Sequence, residues 1–572
     1  MPDSLAVLEM QRAAIQQQMA QLGDMRAGSI TTTGGRCGNA RCHCHEKDDP
    51  GHGPFYRLTR KVDGKTVTET FSIPAALRKA QNEIAEYHRF RELSRDLLDV
   101  NEKICRARPA QDTLTPEEKK TAEAIQNEIA REVATLLARI FAERKQTGKT
   151  DMEAVETAFR AALHHAGATA LSQLLRFSEP AEQQRSLPCC CGHQARYREL
   201  RSRRVLTALG AVEITRPWYL CPHCRQGQFP ADQQLDIENT EFSPGVRRMQ
   251  ALVGQDAPFD HGRQQMQELA GLEVTAKSVE RVAESIGADI AGREQQQIDR
   301  AVQLDLPIVL GDPVPILYVQ MDGTGVPVVK KEAEGRKGKL DGLPAHTREV
   351  KLGCVFTQTG WDEEGFAIRD RGSTTYTGAI ENAEQFGRRL YVEAWKRGWS
   401  RAEKKVVIGD GAEWIWNIAK DHFPGAVQIV DLFHARQHLS ELARLLFPND
   451  TKRRNQWIGR HQRRWLDKGK IAKLVASLRS IQTTDPELAK KIRNDADYFA
   501  TNAARMNYPK FRKQHLFIGS GVIEAGCKTV VAHRLKQSGM FWTVRGANAV
   551  LALRCCRLNG RFEDYWERRR AA

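Results

Sequence analysis

In the N-terminal part of the chain, the apolar residues are spaced mainly as in helices. Residues 1–26 carry apolar side chains near helical spacing, which predicts an amphipathic helix that either pairs with another chain or is solvated. From Ile73 to about Phe141 long helical patterns dominate, with a break near Arg108 and Pro109 and a new start at Thr115. We therefore expect an N-terminal helix at 1–30, a small module at 31–74 and a helical or coiled-coil region at 75–180.

Alternation of apolar and polar residues, the pattern of half-buried strands, marks two modules that are rich in Cys and His. In the first module, two short strands joined at Asp63 and Gly64 follow a segment with three cysteines. In the second, at 186–232, strands at 205–214 and 218–220 separate two close cysteine groups. The second arrangement is typical of a zinc ribbon.

A third set of strands is followed repeatedly by an acidic residue. The apolar strand 316–321 precedes an acid and a Gly-Thr-Gly turn, and 350–358 is expected to be its antiparallel neighbour. The strand 405–408 and the segment VQIV also lead into acids. The three acids are Asp322, Asp410 and Asp431. These patterns predict an α/β core whose first part is 312–434, a helical insertion at 435–515 and the rest of the core at 516–572.

The region 240–300 has the layout of a helix-turn-helix, with helices at about 263–270 and after Thr275 and a turn at Gly271. The inward face of the second helix would consist of Val279, Val282 and Ile286. The side chains offered to DNA would be Lys277, Ser278, Glu280 and Arg281. An ordinary helical hairpin inside a core gives the same short pattern, so both interpretations stay open.

The amino-acid composition indicates a negatively charged partner. The chain has 572 residues, more than one core usually organises, and its 87 Lys and Arg against 71 Asp and Glu give a net charge of +16. Such a balance favours nucleic acid, although a basic solvated surface would look alike. Basic runs at 198–204 and 452–464 suit phosphate contacts. With no apolar run of about 18 residues and no signal pattern, we expect a cytoplasmic, nucleoid-associated protein without a membrane partner.

The 13 cysteines lie mostly in two tight groups, which in a reducing compartment indicates metal binding rather than disulfides. Structural zinc needs four thiolate or imidazole ligands. In the ribbon the candidates are Cys189, Cys191, Cys221 and Cys224, with Cys190 and His193 as substitutes. Near the N-terminus they are Cys37, Cys42, Cys44 and His52. One or two zinc ions are therefore expected, and free buried cysteines are the alternative.

The acids after the strands have an ordinary explanation as turn residues, but three in one domain suggest a metal site. Close carboxylates repel one another unless a cation holds them, and Mg²⁺ prefers carboxylate oxygens. Two such ions about 4 Å apart activate an attacking hydroxyl and stabilise the leaving oxygen of a phosphodiester. A further carboxylate, Glu524, opens a helix after a Gly-Ser-Gly turn, where it would also suit as a cap. The same helix carries Lys528 and Arg534 as further candidate DNA contacts.

Several long segments, taken in order, resemble the motif series of the ISKra-type insertion-sequence transposases, which are related to the Mutator-like group. The segments are MDGTGVP, VVIGDGAEWIW, VDLFHARQHL, GSGVIEAGCK and GMFWTVRGANAVLALR. The resemblance covers most of the chain from Pro188 onward, and residues 37–54 are similar to a small uncharacterised domain often found with such elements. It implies a multidomain α/β protein with a ribonuclease-H-like core, a mixed sheet flanked by helices, that carries an Asp, Asp, Glu triad.

The resemblance also implies roles for individual residues. Asp322 would bridge two Mg²⁺ or Mn²⁺ ions, Asp410 would hold one and Glu524 the other. Asp431 and His434 match an Asp-x-x-His signature of such enzymes, in which the histidine would orient the scissile phosphate or a ligand. In the ribbon, family members show Cys-Pro-Cys-Gly where this chain has Cys189-Cys190-Cys191-Gly192, so the ligand pair there stays open.

The chemistry implied by the resemblance is hydrolysis at the ends of a mobile element, followed by attack of each 3′ hydroxyl on target DNA. The partners would be double-stranded terminal repeats and target DNA, held by a homodimer or larger assembly because two ends must be joined. Two other functions remain possible from the sequence. One is a ribonuclease-H-like nuclease or resolvase, and the other is a domesticated zinc-dependent DNA-binding protein without catalysis.

Overall fold

The computed structural model describes residues 5–39, 41–46, 48–62, 65–107, 115–306, 308–336, 338 and 345–570. The chain is a multidomain α/β protein that divides into two compact units, Met1–Ala122 and Glu123–Ala572. The predicted turn at Asp63 and Gly64 and the predicted break at Arg108 and Pro109 lie outside the described residues. In the described part of the chain, no helix is both long and apolar enough to cross a bilayer.

The first unit combines a small sheet with long helices. Its elements are α1 (Leu5–Ala20), β1 (Ser29–Gly35), β2 (His52–Val62), β3 (Lys65–Phe71), α2 (Pro74–Ala107) and the start of α3 (Pro116–Thr147). The sheet is antiparallel in the order β1-β2-β3. The sequence predicts two of these strands but not β1, because its SITTTGG segment has a single large apolar residue. Leu8 of α1 packs on Val100 and Ile104 of α2, which buries the apolar stripe of the first helix.

The second unit begins with helices and a long hairpin. Its first elements are α4 (Met152–Leu174), β4 (Ser186–Pro188), β5 (Gln194–Thr207), β6 (Gly210–Leu220), β7 (Gly227–Gln228) and α5 (Pro230–Gln234). The four strands form one antiparallel sheet in chain order. Val205, Val212 and Ile214 pack with Ile237 and with Ala168 of α4, so the hairpin rests on a small apolar core of its own.

A five-stranded mixed sheet forms the centre of the second unit, in the order β12-β9-β8-β13-β14. Its strands are β8 (Val314–Pro327), β9 (Thr347–Gln358), β12 (Thr375–Ala379), β13 (Ala402–Gly409) and β14 (Val427–Val430). A separate two-stranded sheet, formed by β10 (Gly360–Trp361) and β11 (Ala367–Ile368), lies between β9 and β12 in the chain. β9 is antiparallel to both β8 and β12. β8, β13 and β14 are parallel to one another. Their apolar side chains are buried between the helices, as expected of parallel strands.

The expected Gly-Thr-Gly turn after Asp322 is wrong, because β8 continues through it to Pro327. Gly323 pairs with Lys351, and Gly325 pairs with Glu349 on β9. A Cβ atom on Gly323 would lie 2.5 Å from a carboxylate oxygen of Glu349. Gly323 therefore leaves space for the end of the Glu349 side chain on the neighbouring strand and does not mark a change of chain direction.

Helices surround the central sheet and supply most of the remaining chain. They are α6 (Pro244–Asp256), α7 (Phe259–Ala270), α8 (Ala276–Val302), α9 (Lys330–Ala333), α10 (Ala383–Lys396), α11 (Glu413–His422), α12 (Leu432–Leu446), α13 (Thr451–Ile458), α14 (Ile471–Arg479), α15 (Pro486–Thr501), α16 (Tyr508–Arg512), α17 (Gly521–Gly526), α18 (His533–Leu535), α19 (Val544–Leu558) and α20 (Phe562–Arg570). Two segments are π-helical, Gly459–Leu466 and Cys527–Ala532. Short 3₁₀ turns are His43–His45, Glu182–Gln184, Trp399–Arg401 and Ala503–Arg505.

The predicted pair of helices around Gly271 is present, but the second helix is largely a core element. α7 ends at Gly271, which has a φ of 67°, and Thr275 and Ser278 form a capping box at the start of α8. Val282, Ile286 and Ile290 of α8 share an apolar core with Leu553 of α19. α8 is therefore held along its length by a helix from the other end of the chain.

Candidate functional site

Three acids lie at one edge of the central sheet. Asp322 lies two residues after Gln320, the last β8 residue that is paired with β13. Asp410 directly follows the end of β13, and Asp431 directly follows the end of β14. Because these three strands are parallel neighbours, their carboxyl ends meet at the same edge. The surroundings of the three carboxylates nevertheless differ.

Asp322 and Asp410 form an interacting pair. Oδ1 of Asp322 accepts a hydrogen bond of 2.7 Å from the Gly323 N–H, and Oδ1 of Asp410 accepts one of 2.9 Å from the Ala412 N–H. Burial raises the pKa of Asp322 and the negative charge of Asp410 adds to this, against the opposing effects of the Gly323 N–H, the Cys527 thiol and the His434 imidazole. A half-buried carboxylate whose charged form is disfavoured by burial and by a neighbouring carboxylate is suited to a divalent cation.

Glu524 reaches the same region from the first turn of α17. Its Oε1 lies 2.9 Å from the Ser520 hydroxyl oxygen, and the residue is exposed. One turn later, where the helix widens into its π-helical segment, the Cys527 thiol lies 3.5 Å from Oδ2 of Asp322. Burial raises the pKa of this thiol, and the charges of Asp322 and Glu524 add to the effect. Glu524 and Asp322 therefore both lie within electrostatic reach of Cys527.

The three predicted metal-binding acids do not form a closed ligand set. Within the described ranges, the groups of His, Cys, Asp and Glu whose ligand atoms all lie within 4.8 Å of one another do not include Asp322, Asp410 and Glu524 together. The charge of Asp410 acts on Asp322, but the ligand atoms of all three acids are not gathered within 4.8 Å of one another.

Asp431 has a structural position that corrects the expectation of a catalytic role. Its side chain is fully buried. Oδ1 caps α12 by accepting hydrogen bonds from the N–H groups of Phe433, at 2.6 Å, and His434, at 3.3 Å. Oδ2 accepts the Ser520 N–H at 2.9 Å and also the Ser520 hydroxyl. With its oxygens occupied in this way, Asp431 positions its neighbours and is not available to a metal or to DNA. His434 is half-buried and within electrostatic reach of Asp322.

Residues of the helical insertion hold the turn that carries Asp410. The Tyr498 hydroxyl of α15 donates a hydrogen bond of 2.8 Å to the Asp410 carbonyl. Gly411 has a φ of 106°, and a Cβ atom there would collide with the Tyr498 ring. The same ring stacks on His438 at 4.2 Å between centroids, and His438 contacts Asp495 at 2.9 Å. Sequence reasoning missed Tyr498, Ser520 and Cys527, and the nearest available signal was the pair of glycines that flanks Ser520.

The predicted DNA contacts fall into two sets. Lys277, Arg281 and Lys528 are exposed, and Lys277 pairs with Glu280 at 2.7 Å. Ser278 is buried, and its hydroxyl bonds to the Thr275 carbonyl at 2.8 Å and to the Gln250 amide at 3.2 Å. The side chain of Ser278 therefore caps α8 and is not presented to DNA.

Arg534 is also buried, which corrects its assignment as a DNA contact. Its side chain is fully covered, and its Nε donates a hydrogen bond of 2.9 Å to the Gly254 carbonyl. The guanidinium lies 4.5 Å from the centre of the Phe259 ring and 5.0 Å from that of Trp542. Burial lowers the pKa of Arg534 to about 10. The residue joins α6, α7 and the segment after α18 inside the protein.

The four predicted ribbon ligands form a group that could hold zinc. Sγ of Cys189 lies 3.5 Å from that of Cys224, and Sγ of Cys191 lies 3.6 Å from that of Cys221. Tetrahedral zinc with Zn–S bonds of about 2.3 Å places its sulfurs about 3.8 Å apart. Cys190 points outward to the Gln226 side chain at 3.0 Å and is not part of the group. The structure thus selects Cys189 and Cys191 as the first ligand pair.

The thiols of this group influence one another's ionisation. A hydrogen bond from the Cys191 backbone lowers the pKa of Cys189 to about 6. The Gln226 N–H favours the thiolate of Cys224, but the neighbouring Cys189 thiol and burial together raise the pKa of Cys224 to about 12. Four adjacent thiolates therefore need a cation to ionise together.

The N-terminal group also converges. The ligand atoms of Cys37, Cys42, Cys44 and His52 lie within 4.8 Å of one another, between the end of β1 and the start of β2. Sγ of Cys42 lies 3.1 Å from Nε2 of His52, and the sulfurs of Cys37 and Cys44 are 3.7 Å apart. This group could hold a second zinc ion.

Comparison with known proteins adds one match and one weak likeness. A family model described as "Domain of unknown function (DUF6788)" matches residues 6–76, a span that contains the N-terminal Cys/His group. No curated protein matches the chain. Among solved structures, the chain is similar to the Drosophila P element transposase strand transfer complex, with a TM-score of 0.21 and 9% identity over 59% of this chain and 84% of that one. A TM-score of this size carries no argument about fold or function.

Proposed function

We propose that this chain is a DNA transposase of an insertion sequence, of the ISKra type, with a ribonuclease-H-like catalytic core. The observation that carries the proposal is the interacting pair of Asp322 and Asp410 at the carboxyl edge of a mixed sheet, with Glu524 presented to the same region. The motif order in the sequence supports the same assignment. The nuclease and DNA-binding alternatives share the sheet but differ in what they do to DNA.

The donor set fits two hard divalent ions. Asp322 and Asp410 each have one oxygen fixed by a backbone N–H, which orients the carboxylates without neutralising them. Bound Mg²⁺ or Mn²⁺ would supply an activated hydroxyl and stabilisation of the leaving oxygen. In this assignment Asp322 and Asp410 would hold one ion, and Asp322 and Glu524 would hold the other. Because Glu524 is exposed at the start of α17, it has room to move toward Asp322 when ions and DNA bind.

The charge of the molecule supports double-stranded DNA as the partner. Six basic side chains in the helical insertion form a run, and in the part of the chain that the structure describes they make no ion pair. They are Lys452, Arg453, Arg454, Arg460, Arg463 and Arg464. An unneutralised run of this kind suits the phosphates of an element end or of target DNA. A homodimer or larger assembly would hold two such ends together.

A strand-transfer assay with Mg²⁺ tests the proposal. The substrates are the duplex ends of the DNA that flanks the gene together with a plasmid target, and the compared proteins are the wild type, Asp410→Asn and Asp421→Asn. Asp421 is an exposed acid at the end of α11 and serves as the matched control. We expect joined product with the wild type and the control, and loss of chemistry with retained DNA binding in Asp410→Asn.

Each other outcome has a definite meaning. Cleavage without joined product would favour a nuclease or resolvase, and binding without any cleavage would favour the domesticated DNA-binding protein. Cleavage by Asp410→Asn at the wild-type rate would show that the acids are assigned wrongly.

A further inference from the structure

A third group of candidate metal ligands lies beside the four ribbon thiols. It consists of Cys191, His193 and His223, whose ligand atoms lie within 4.8 Å of one another. Cys191 belongs to both groups, while the two histidines belong only to this one. The sequence had offered His193 only as a substitute ligand for a single ion, and His223 had no role in it.

The distances in this group match those of a metal centre. Sγ of Cys191 lies 3.7 Å from Nδ1 of His193. With Zn–S bonds of about 2.3 Å and Zn–N bonds of about 2.0–2.1 Å, tetrahedral zinc places a sulfur and a nitrogen about 3.6 Å apart. The rings of His193 and His223 are stacked 3.8 Å apart at an angle of 8°, and Nδ1 of His193 also lies 3.1 Å from the Cys191 carbonyl oxygen. One of the two exposed rings therefore has to turn for both imidazoles to direct a nitrogen at the same ion.

The connectivity of the ribbon gives such a centre a structural purpose. The loop between β4 and β5 supplies Cys191 and His193, and the loop between β6 and β7 supplies His223. An ion on these three ligands would join the same two loops that the four-thiol site joins. Charge favours it as well, because four thiolates leave a single Zn²⁺ site negative, and a neighbouring cation would offset that charge.

We infer that the ribbon binds two divalent zinc ions that share the Cys191 thiolate. The first ion is held by Cys189, Cys191, Cys221 and Cys224. The second is held by Cys191, His193 and His223, with solvent as its fourth ligand. Because both histidines are exposed and one position is filled by solvent, the second ion exchanges faster with chelators than the first.

Native mass spectrometry of the full chain tests this inference. Wild type, His193→Ala/His223→Ala and Cys190→Ser are each incubated with excess ZnSO₄ and freed of unbound metal by gel filtration. Cys190 is the matched control because its exposed thiol lies next to the four-thiol group but outside both sets of ligands. We expect the double histidine variant to hold one zinc fewer per chain than the wild type, and the control to hold as many. The single variants His193→Gln and His223→Gln should each lose the same ion.

Two results would overturn the inference. Equal zinc content in the wild type and the double histidine variant would mean that the two histidines make only an aromatic contact and bind no zinc. Loss of all ribbon zinc in that variant, with circular dichroism unchanged, would mean that the histidines serve a single ion. Neither result depends on strand transfer, so the inference can fail while the proposed catalytic function stands.

Discussion

At the scale of single residues, neighbouring acids at one sheet edge have opposite relations to the fold. Asp431 is buried and accepts hydrogen bonds from Phe433, His434 and Ser520, so its charge is fully used by the protein. The pKa of Asp322 is raised, first by burial and further by the charge of Asp410. The first arrangement stabilises the folded chain, whereas in the second the charged form is disfavoured by burial and by repulsion, which a bound cation can offset. Substitution by Asn should therefore have opposite effects at the two positions.

The variant Asp322→Asn is expected to be more stable than the wild type in the absence of divalent ions. The raised pKa means that the folded protein holds the Asp322 proton more tightly than the unfolded chain does. Stability of the wild type therefore falls as pH rises from the usual Asp range through the raised value, and the variant lacks this loss. We expect a gain on the order of 1 kcal/mol at pH 8 that shrinks toward pH 4, measured by thermal unfolding in EDTA.

Addition of Mg²⁺ should reverse this order, because the wild type gains a bound cation that the variant binds poorly. Asp421→Asn is again the control and should follow the wild type under all conditions. A variant at position 322 that is no more stable than the wild type at pH 8 without metal would contradict the repulsion argument.

Replacing Asp431 by Asn is expected to destabilise the protein by about 1–3 kcal/mol, the cost of leaving buried donors without an acceptor. An amide would present hydrogens to the Ser520 N–H and hydroxyl, which both donate to the present carboxylate. Urea unfolding of the metal-free variant measures the change, with Asp410→Asn as the comparison that should lose no stability. If Asp431→Asn proved stabilising, its carboxylate would belong with the repelling pair instead.

At the scale of elements, the helical insertion is attached to the turn that carries Asp410. Tyr498 of α15 fits against Gly411, donates to the Asp410 carbonyl and stacks on His438 of α12. Because a helix far along the chain thus fixes the backbone of the Asp410 turn, the insertion contributes to the position of that carboxylate.

Loss of the Tyr498 hydroxyl in Tyr498→Phe should slow DNA cleavage several-fold while it leaves DNA affinity unchanged. The ring still fills the space above Gly411, so the fold is kept and only one hydrogen bond, worth about 1 kcal/mol, is removed. Single-turnover cleavage and binding titrations measure the two effects. Gly411→Ala should be more severe, because it forces a side chain into a left-handed turn and against the ring. Equal cleavage rates for Tyr498→Phe and the wild type would show that the turn needs no support from α15.

The predicted and observed elements differ mainly where a feature depends on contacts with distant parts of the chain. The apolar strands, the acids after them and the helices that follow Asp410 and Asp431 could be read from the sequence, because burial of parallel strands leaves continuous apolar runs. The predicted turn after Asp322 was wrong because the Gly-Thr-Gly segment pairs with β9, which the local sequence does not reveal. The burial of Ser278 and Arg534 could not be predicted either, since their partners lie on other elements. Long-range packing therefore decides which side chains remain free for function.

At the scale of the whole molecule, the helical insertion carries a run of basic residues that no acidic side chain pairs with in the described part of the chain. The net charge of the chain is +16. In the basic run at 452–464 most basic side chains are exposed, whereas His461 is buried and Trp457 is half-buried. The Trp457 and His461 rings stack at 3.7 Å and fix the helix that presents the basic side chains. The insertion thus offers a rigid basic surface, defined by Lys452, Arg453, Arg454, Arg460, Arg463 and Arg464.

Neutralising part of this basic surface should reduce the salt dependence of DNA binding. Each phosphate contact contributes about 0.9 to the slope of log affinity against log salt concentration, so a triple Ala variant at Arg453, Arg460 and Arg464 should lose a slope of about 2–3. The matched control replaces Arg139, Lys145 and Lys149, which are exposed and lie on or beside α3, and carries the same change in net charge. Fluorescence anisotropy with duplex DNA over a range of NaCl concentrations gives both slopes. If the two triple variants lowered the slope equally, net charge alone would account for binding and the insertion would have no specific part in it. A loss confined to the first variant would instead place phosphates on the insertion, next to the helices that support Asp410.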